Sequence, residues 1–241
     1  MVIDVLLWGA VLVAVAAAFF VSAAAGLGGS LILVPALALV LGTKEGVALA
    51  ALLLATNNVV KIIAYRQVLP VRASAGVIAL TFAGTYLGAR LLVAAPEALV
   101  TVAVIASFAV ALLAERRRMA AGRNRLARAL SFASGATSGF TGTSGPLKGI
   151  AIRSLGLDRL HTVGAAALVS MVGDATKAAV FTDARLLGAS SYRLAVVAVP
   201  VMIAATYAGR LFNSAIGERG YQRLFWAVMG GYTARLLSSV L

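Results

Sequence analysis

The sequence predicts an all-α integral membrane protein built as an inverted repeat. Each half is expected to carry one broken, re-entrant helical hairpin plus three transmembrane helices, about ten helical segments in all. Three observations predict this. The composition is that of a chain living in hydrocarbon. Two glycine-rich breaks interrupt long apolar runs and are each followed by a short apolar piece. A set of polar, basic and aromatic landmarks recurs in the same order in both halves.

The 241 residues are 61% hydrophobic and only 12% charged, with a mean hydropathy of +0.99. A soluble domain is nearer half apolar and about one quarter charged. Apolar runs recur along the whole length, which leaves no room for a separate soluble domain. The first run, Val5–Ala25, lacks the basic start of a secretion signal and is longer than such a signal's apolar region.

Apolar runs, read against charges and Pro/Gly punctuation, fall into ten pieces. They are Val5–Ala25, Leu31–Leu41, Val47–Tyr65, Ala73–Val93, Ala98–Ala114, Leu126–Phe140, Leu147–Leu155, Thr162–Phe181, Tyr192–Phe212 and Tyr221–Leu237. A full crossing needs about 20 residues. The second and seventh pieces are near half that, and each follows a break. They read as returning arms of hairpins that dip into the membrane; a kinked ordinary helix pair is the alternative.

The stretch Asn58-Val-Val-Lys61-Ile-Ile-Ala-Tyr65 aligns with Asp174-Ala-Thr-Lys177-Ala-Ala-Val-Phe181. Thr85-Tyr86-Leu87-Gly88 aligns with Thr206-Tyr207-Ala208-Gly209, Gly26 falls opposite Gly142, and Pro35 loosely matches Pro146. We read an ancient duplication: a first repeat over 1–114, a basic cytoplasmic linker over 115–128 and a second, inverted repeat over 129–241. A hairpin returns the chain to its starting side, and three further spans leave it on the opposite one, so the second half begins inverted. The positive-inside rule places the arginine linker in the cytoplasm together with Arg66, Arg72, Arg153, Arg159, Arg210, Arg219 and Arg223. It leaves Lys44, Arg90, Arg185, Arg193 and Arg235 outside, with both termini.

The formal charge of +13 does not point to nucleic acid, because its densest run, Arg116 to Arg128, joins two apolar halves as a topogenic loop. The chain has no cysteine and one histidine. Thiolate chemistry and a histidine metal cluster are therefore excluded, and no cofactor is implied. An intramembrane enzyme lacks a nucleophile with a base, so the chain is not expected to be one.

The breaks themselves suggest a receptor for negative charge. A broken helix leaves backbone N–H and C=O groups unpartnered, and in hydrocarbon each costs several kcal/mol. The start of the following half-helix offers free N–H groups and a positive dipole end to an anion. Gly28 and Gly29 in the first break, and Gly142 and Gly145 in the second, allow close approach of a solute, and Ser30, Thr143 and Ser144 add hydroxyl donors. Close helix packing is the competing role for these glycines.

Lys61 and Lys177 sit about one turn from the ends of spans. Each could bind substrate or could snorkel to the headgroups. Asp174 lies at i, i+3 from Lys177 and can either neutralise it or act as a protonatable switch coupling protons to transport; its repeat partner, Asn58, cannot titrate. Asn57 and Asn58 are intramembrane amides expected to face protein or cavity. Tyr86 and Tyr207 are expected to hydrogen-bond across helices. Arg90 and Arg210 read as interfacial, His161 as solvated in a short loop, and Trp8 and Trp226 as interfacial or packing residues.

The chain resembles the TauE/SafE family of sulfite exporters and sulfite/sulfonate permeases. The resemblance rests on Gly26-Leu-Gly28-Gly29-Ser30 with Pro35 and Gly42, and on Ser138-Gly139-Phe-Thr-Gly142-Thr-Ser-Gly145-Pro146 with Gly156-Leu-Asp158. The family usually carries three consecutive glycines where this chain has Gly29-Ser30 and Thr143-Ser144-Gly145. The resemblance implies a multi-pass protein of the bacterial or archaeal cytoplasmic (inner) membrane that transports small sulfur-containing anions such as sulfite, thiosulfate or sulfonates. An anion channel is the alternative. The expected partners are the anion and membrane lipid, with room for a homodimer and none for nucleic acid.

Overall fold

The computed structural model describes residues 2–25, 29–104, 106, 124–143 and 145–240, and among them there is helix and no strand. The helices are α1 (Val2–Ala25), α2 (Gly29–Leu41), α3 (Thr43–Ala64), α4 (Val71–Ala94), α5 (helical over 97–104), α6 (Asn124–Thr141), α7 (Gly145–Arg153), α8 (Arg159–Asp183) and α9 (Ala189–Val240). Gly26, Gly28, Ser144 and most of the arginine linker lie outside the described residues. α6 begins inside the basic stretch, at Asn124.

Four described helical stretches are long and apolar enough to cross a membrane: Thr43–Ala64, Val71–Ala94, Arg159–Asp183 and Ala189–Asn213. α2 has 13 residues and α7 has 9. At 1.5 Å per residue they reach about 20 Å and about 14 Å, short of the ~30 Å hydrocarbon core. α2 packs on α1, and α7 packs on α6.

The last two expected spans are corrected. Tyr192–Phe212 and Tyr221–Leu237 belong to one continuous helix of 52 residues. The sequence suggests a break at Gly217-Glu-Arg-Gly220, but no proline is present there. A helical glycine costs only about 1 kcal/mol relative to alanine, which weakens a helix without ending it.

α3 and α8 form the centre. Buried residues make up 61% and 67% of their apolar windows, against 39% for α4 and 33% for Ala189–Asn213. α3 touches α2, α8 and α9, whereas α8 touches α3, α4 and α7. The flanks are α1 against α9 and α4 against α6. The outward faces of α4 and α9 expose Phe82, Leu87, Leu91, Val196, Val197 and Leu211, as helices bathed in lipid do. Tyr86 and Tyr207 lie on these faces, 46% and 40% exposed. They do not bridge helices as expected. The neighbouring threonines point inward instead, Thr85 and Thr206 being fully buried.

Glycine sets the closeness of α4 and α6. A Cβ on Gly88 would lie 2.1 Å from the Ala136 carbonyl oxygen, and one on Gly139 would lie 2.3 Å from that of Thr85. Gly84 and Gly135 extend the contact one turn earlier on each helix. These are i, i+4 small-residue stripes that let backbones touch. On the other flank a Cβ on Gly209 would meet the Phe20 carbonyl at 2.3 Å.

Short connections fix the ends. Gly42 joins α2 to α3 at φ +85, a left-handed conformation that favours glycine, and its N–H donates to the Ala38 carbonyl at 3.0 Å. Glu97 accepts from the Thr43 N–H at 2.9 Å, and Glu45 from the Gly188 N–H at 3.1 Å, so acids cover the starts of α3 and α9. At the opposite end Asp158 caps α8, accepting from the His161 N–H at 3.1 Å and facing its ring Nδ1 at 2.5 Å. His161 is thus part of a helix cap rather than simply solvated.

Gly88→Val should therefore lower stability by about 1–3 kcal/mol or more through overpacking, whereas Gly76→Ala, with open space around it, should be neutral or stabilising. Melting of the detergent-purified variants checks both. The backbone and ring of His161 hold the Asp158 carboxyl below its usual range. Its contribution is then present above the ordinary carboxylate pKa and fades as pH falls through the lowered value. Asp158→Ala should lower the melting temperature at neutral pH, and the gap to wild type should close in acid.

Candidate functional site

The polar residues that hydrocarbon should exclude meet between α3 and α8. On α3, Asn58 and Lys61 stand one turn apart. On α8, Ser170, Asp174 and Lys177 follow at helical spacing along one face. Asp174 joins the two helices. Its Oδ2 accepts from Asn58 Nδ2 at 2.7 Å, and its Oδ1 lies 2.7 Å from Lys177 Nζ. Both carboxylate oxygens are thus engaged.

Neither Lys61 nor Lys177 snorkels. Each is 1% exposed. Lys177 also donates to Ser138 Oγ at 3.1 Å and to the Gly142 carbonyl at 3.2 Å. Lys61 donates to Ser22 Oγ at 3.2 Å. In both cases the serine lies 39 positions before its lysine, on the helix that precedes a break. Lys61 and Lys177 have the same separation along the chain as Asn58 and Asp174, 116 positions.

The break residues enter this cluster unequally. Gly142 follows the end of α6 at φ +78, and its N–H closes the helix on the Ser138 carbonyl at 2.9 Å. Its carbonyl, not its N–H, faces the site, as the acceptor for Lys177. Gly29 starts α2 against α1, where a Cβ would come 3.0 Å from Ser22 Cβ and 3.1 Å from Ser22 Oγ, the partner of Lys61. Ser30 is half-buried in the first turn of α2, and Gly145 starts α7. The Thr143 hydroxyl is buried beside that of Thr141 at 3.3 Å. Gly28 and Ser144 lie outside the described residues.

Asn57 turns away from the cluster. Its Oδ1 accepts from Thr206 of α9, and its Nδ2 is buried without a hydrogen-bond partner. Asn58, Asp174, Lys61, Lys177 and Gly142 are therefore brought together, and Asn57 is held beside them by α9.

Ser22, Ser138 and Lys148 are additions that sequence reasoning passed over. The serines carry a readable signal, since each precedes an aligned glycine, Gly26 or Gly142, by four residues. Lys148 lies on short α7 and donates to Ser170 Oγ at 2.8 Å. Lys177 pairs with the cluster's carboxylate, Asp174, while Lys61 and Lys148 each rest on a serine hydroxyl. Among the described residues no group of three side chains could hold a metal ion. Buried positive charge of this kind suits a small anion.

A protein-family model described as sulfite exporter TauE/SafE matches residues 10–236. The chain belongs to the TauE/SafE family. No curated protein and no solved structure matches it. TauE/SafE membership makes the chain a multi-pass membrane protein of the sulfite-exporter type. That agrees with four apolar helices wrapped around charges a soluble fold would not need to hide.

The Asp174–Lys177 pair lends itself to a double-mutant cycle. Asp174→Asn and Lys177→Met should each destabilise by about 3–5 kcal/mol, because each strands a buried charge. The double variant should cost clearly less than the sum of the two. Denaturation of the four proteins in one detergent measures the coupling; strictly additive losses would show that the pair does not act as a unit.

Proposed function

We propose that this chain is a secondary transporter of small sulfur-containing anions, such as sulfite, thiosulfate or organosulfonates. It works by alternating access, with the anion held between the two halves. The observation that carries the reading is the buried pair Lys61 and Lys177. Each is tethered to a serine at the same spacing, on a helix that runs into a glycine-rich break. The break residues Gly29, Ser30, Thr143 and Gly145 would border the substrate path and add neutral donors at the half-helix starts, as would Gly28 and Ser144, which lie outside the described residues.

Several features support an inverted repeat. α1 packs on α9 as α4 packs on α6. Gly209 approaches Phe20 as Gly88 approaches Ala136, and Phe20 and Ala136 are themselves separated like Lys61 and Lys177. The two breaks would then open toward opposite faces, and rocking one half against the other would expose the site alternately. The arginine-rich end, with Arg66, Arg72, Arg153 and Arg159, would face the cytoplasm of a bacterial cell.

Asp174 is the coupling group in this scheme. Protonation would remove one of its two acceptor roles and release Lys177 toward the anion. Deprotonation would restore the pairing with Lys177. Its repeat partner is an amide, so the switch belongs to one half only.

An anion channel would use the same charges without a conformational cycle. Counterflow in proteoliposomes separates the two: labelled sulfite should accumulate against unlabelled sulfite trapped inside, which a channel cannot sustain. Lys61→Met should reduce counterflow at least tenfold while the protein still inserts and elutes normally. Undiminished counterflow in that variant would remove Lys61 from the path.

A further inference from the structure

Lys148 has no place in the scheme above, yet it is the third lysine of the central cluster. It sits on α7, three positions after Gly145, and its ammonium donates to Ser170, one turn before Asp174 on the same face of α8. It lies in electrostatic range of Lys61, Asp174 and Lys177. Three elements thus bring a lysine into the neighbourhood of Asp174: α3 through Lys61, α7 through Lys148 and α8 through Lys177.

The charges do not balance. Asp174 is committed to Lys177 and Asn58 by both oxygens. Lys61, 1% exposed, has a single serine hydroxyl as its hydrogen-bond partner, and Lys148 likewise has one. Each ammonium has three donors, so both retain capacity, and no carboxylate among the described residues forms an ion pair with either. Lys61, buried, and Lys148, half-buried, are thus two lysines that no carboxylate among the described residues pairs with.

We infer that Lys148 is a substrate-binding residue and that, together with Lys61, it makes the site selective for anions carrying two negative charges over singly charged anions of the same shape. This rests on the transporter reading and narrows its substrate class. Sulfite as the dianion, thiosulfate and sulfoacetate fit; taurine and simple alkanesulfonates do not supply the second charge. Ser170 holds the Lys148 head against α8, so the donor is set in place before the anion arrives.

The test compares sulfoacetate with sulfoacetamide, which has almost the same outline and one charge fewer, by calorimetric titration of the detergent-purified protein. Wild type should bind sulfoacetate roughly ten- to a hundredfold more tightly, the factor that one hydrogen bond to a charged group is worth. Lys148→Met should bring the two ligands to within about twofold, and Lys148→Arg should keep most of the preference. Equal binding of both by wild type, as uncharged amines would give, overturns the inference, as does a full preference retained by Lys148→Met. Should Lys148→Met not fold, the wild-type ratio decides. Sulfite counterflow without any preference for the dianion leaves transport standing and removes the charge rule. Absence of both binding and counterflow removes the transporter reading beneath it.

Discussion

The bridge that Asp174 makes between Asn58 and Lys177 is the constraint around which the rest of this structure is arranged. In hydrocarbon an ammonium cannot be left alone. Desolvation costs several kcal/mol per ion, and attraction offsets it only where the geometry is good and the remaining donors are used. Asp174 meets both conditions for Lys177. One oxygen takes the charge, and Ser138 and Gly142 take further hydrogen bonds. The other oxygen reaches α3, so the same carboxylate that neutralises a lysine also fastens the two central helices together. That requirement explains why α3 and α8 are the most buried of the long helices. It also explains why the end of α6 stops where it does: the Gly142 carbonyl is free to accept from Lys177 because the helix ends there.

Around this centre the two flanks are built by different means. α4 and α6 touch through two glycines on each helix, and the contact is backbone against backbone. α1 and α9 have Gly209 against Phe20, with Phe20 and Phe212 packed at 5.5 Å between ring centroids. Dispersion between close backbones replaces the hydrophobic effect, which vanishes between helices already in lipid. The halves differ at the centre too. Thr206 donates to Asn57, whereas the corresponding Thr85 faces Gly173 and its hydroxyl has no partner. Asn58 is neutral where Asp174 is charged. The two flanks and the polar centre between α3 and α8 are thus unequal in chemistry although alike in spacing.

Much of this was legible in the sequence, for physical reasons. Bilayer thickness sets span length, so the long helices appear as apolar runs. The pairing of Asp174 with Lys177 follows from i, i+3 spacing alone. The lysines stand out because charge inside a span is expensive, and their burial turns that cost into a sign of function. What could not be read depends on tertiary approach. Lys148, on a nine-residue helix, looks interfacial until α7 is folded against α8. The phase of α4 and α9 decides that Thr85 and Thr206 face inward and the tyrosines face lipid, and nothing local in Thr-Tyr fixes that phase. The i, i+4 glycines at 84 and 88, and at 135 and 139, were readable as a packing motif.

The sequence suggested that backbone amides at two half-helix starts would supply most of the grip on an anion. The described residues add buried lysine side chains beside those starts. Gly142 turns its carbonyl to the site, and Gly29 is closed in by Ser22. Charge is supplied by lysines, and the glycines let the helices bring those lysines close. This division matters for a carrier. Amide donors are fixed to the backbone and keep their strength in every conformation. A lysine held by one serine can exchange that partner for a solute at little cost, because a neutral hydroxyl is a weak substitute for an anionic oxygen. Ser22 and Ser170 each hold a lysine in this way, whereas Lys177 is held by Ser138, the Gly142 carbonyl and Asp174 together.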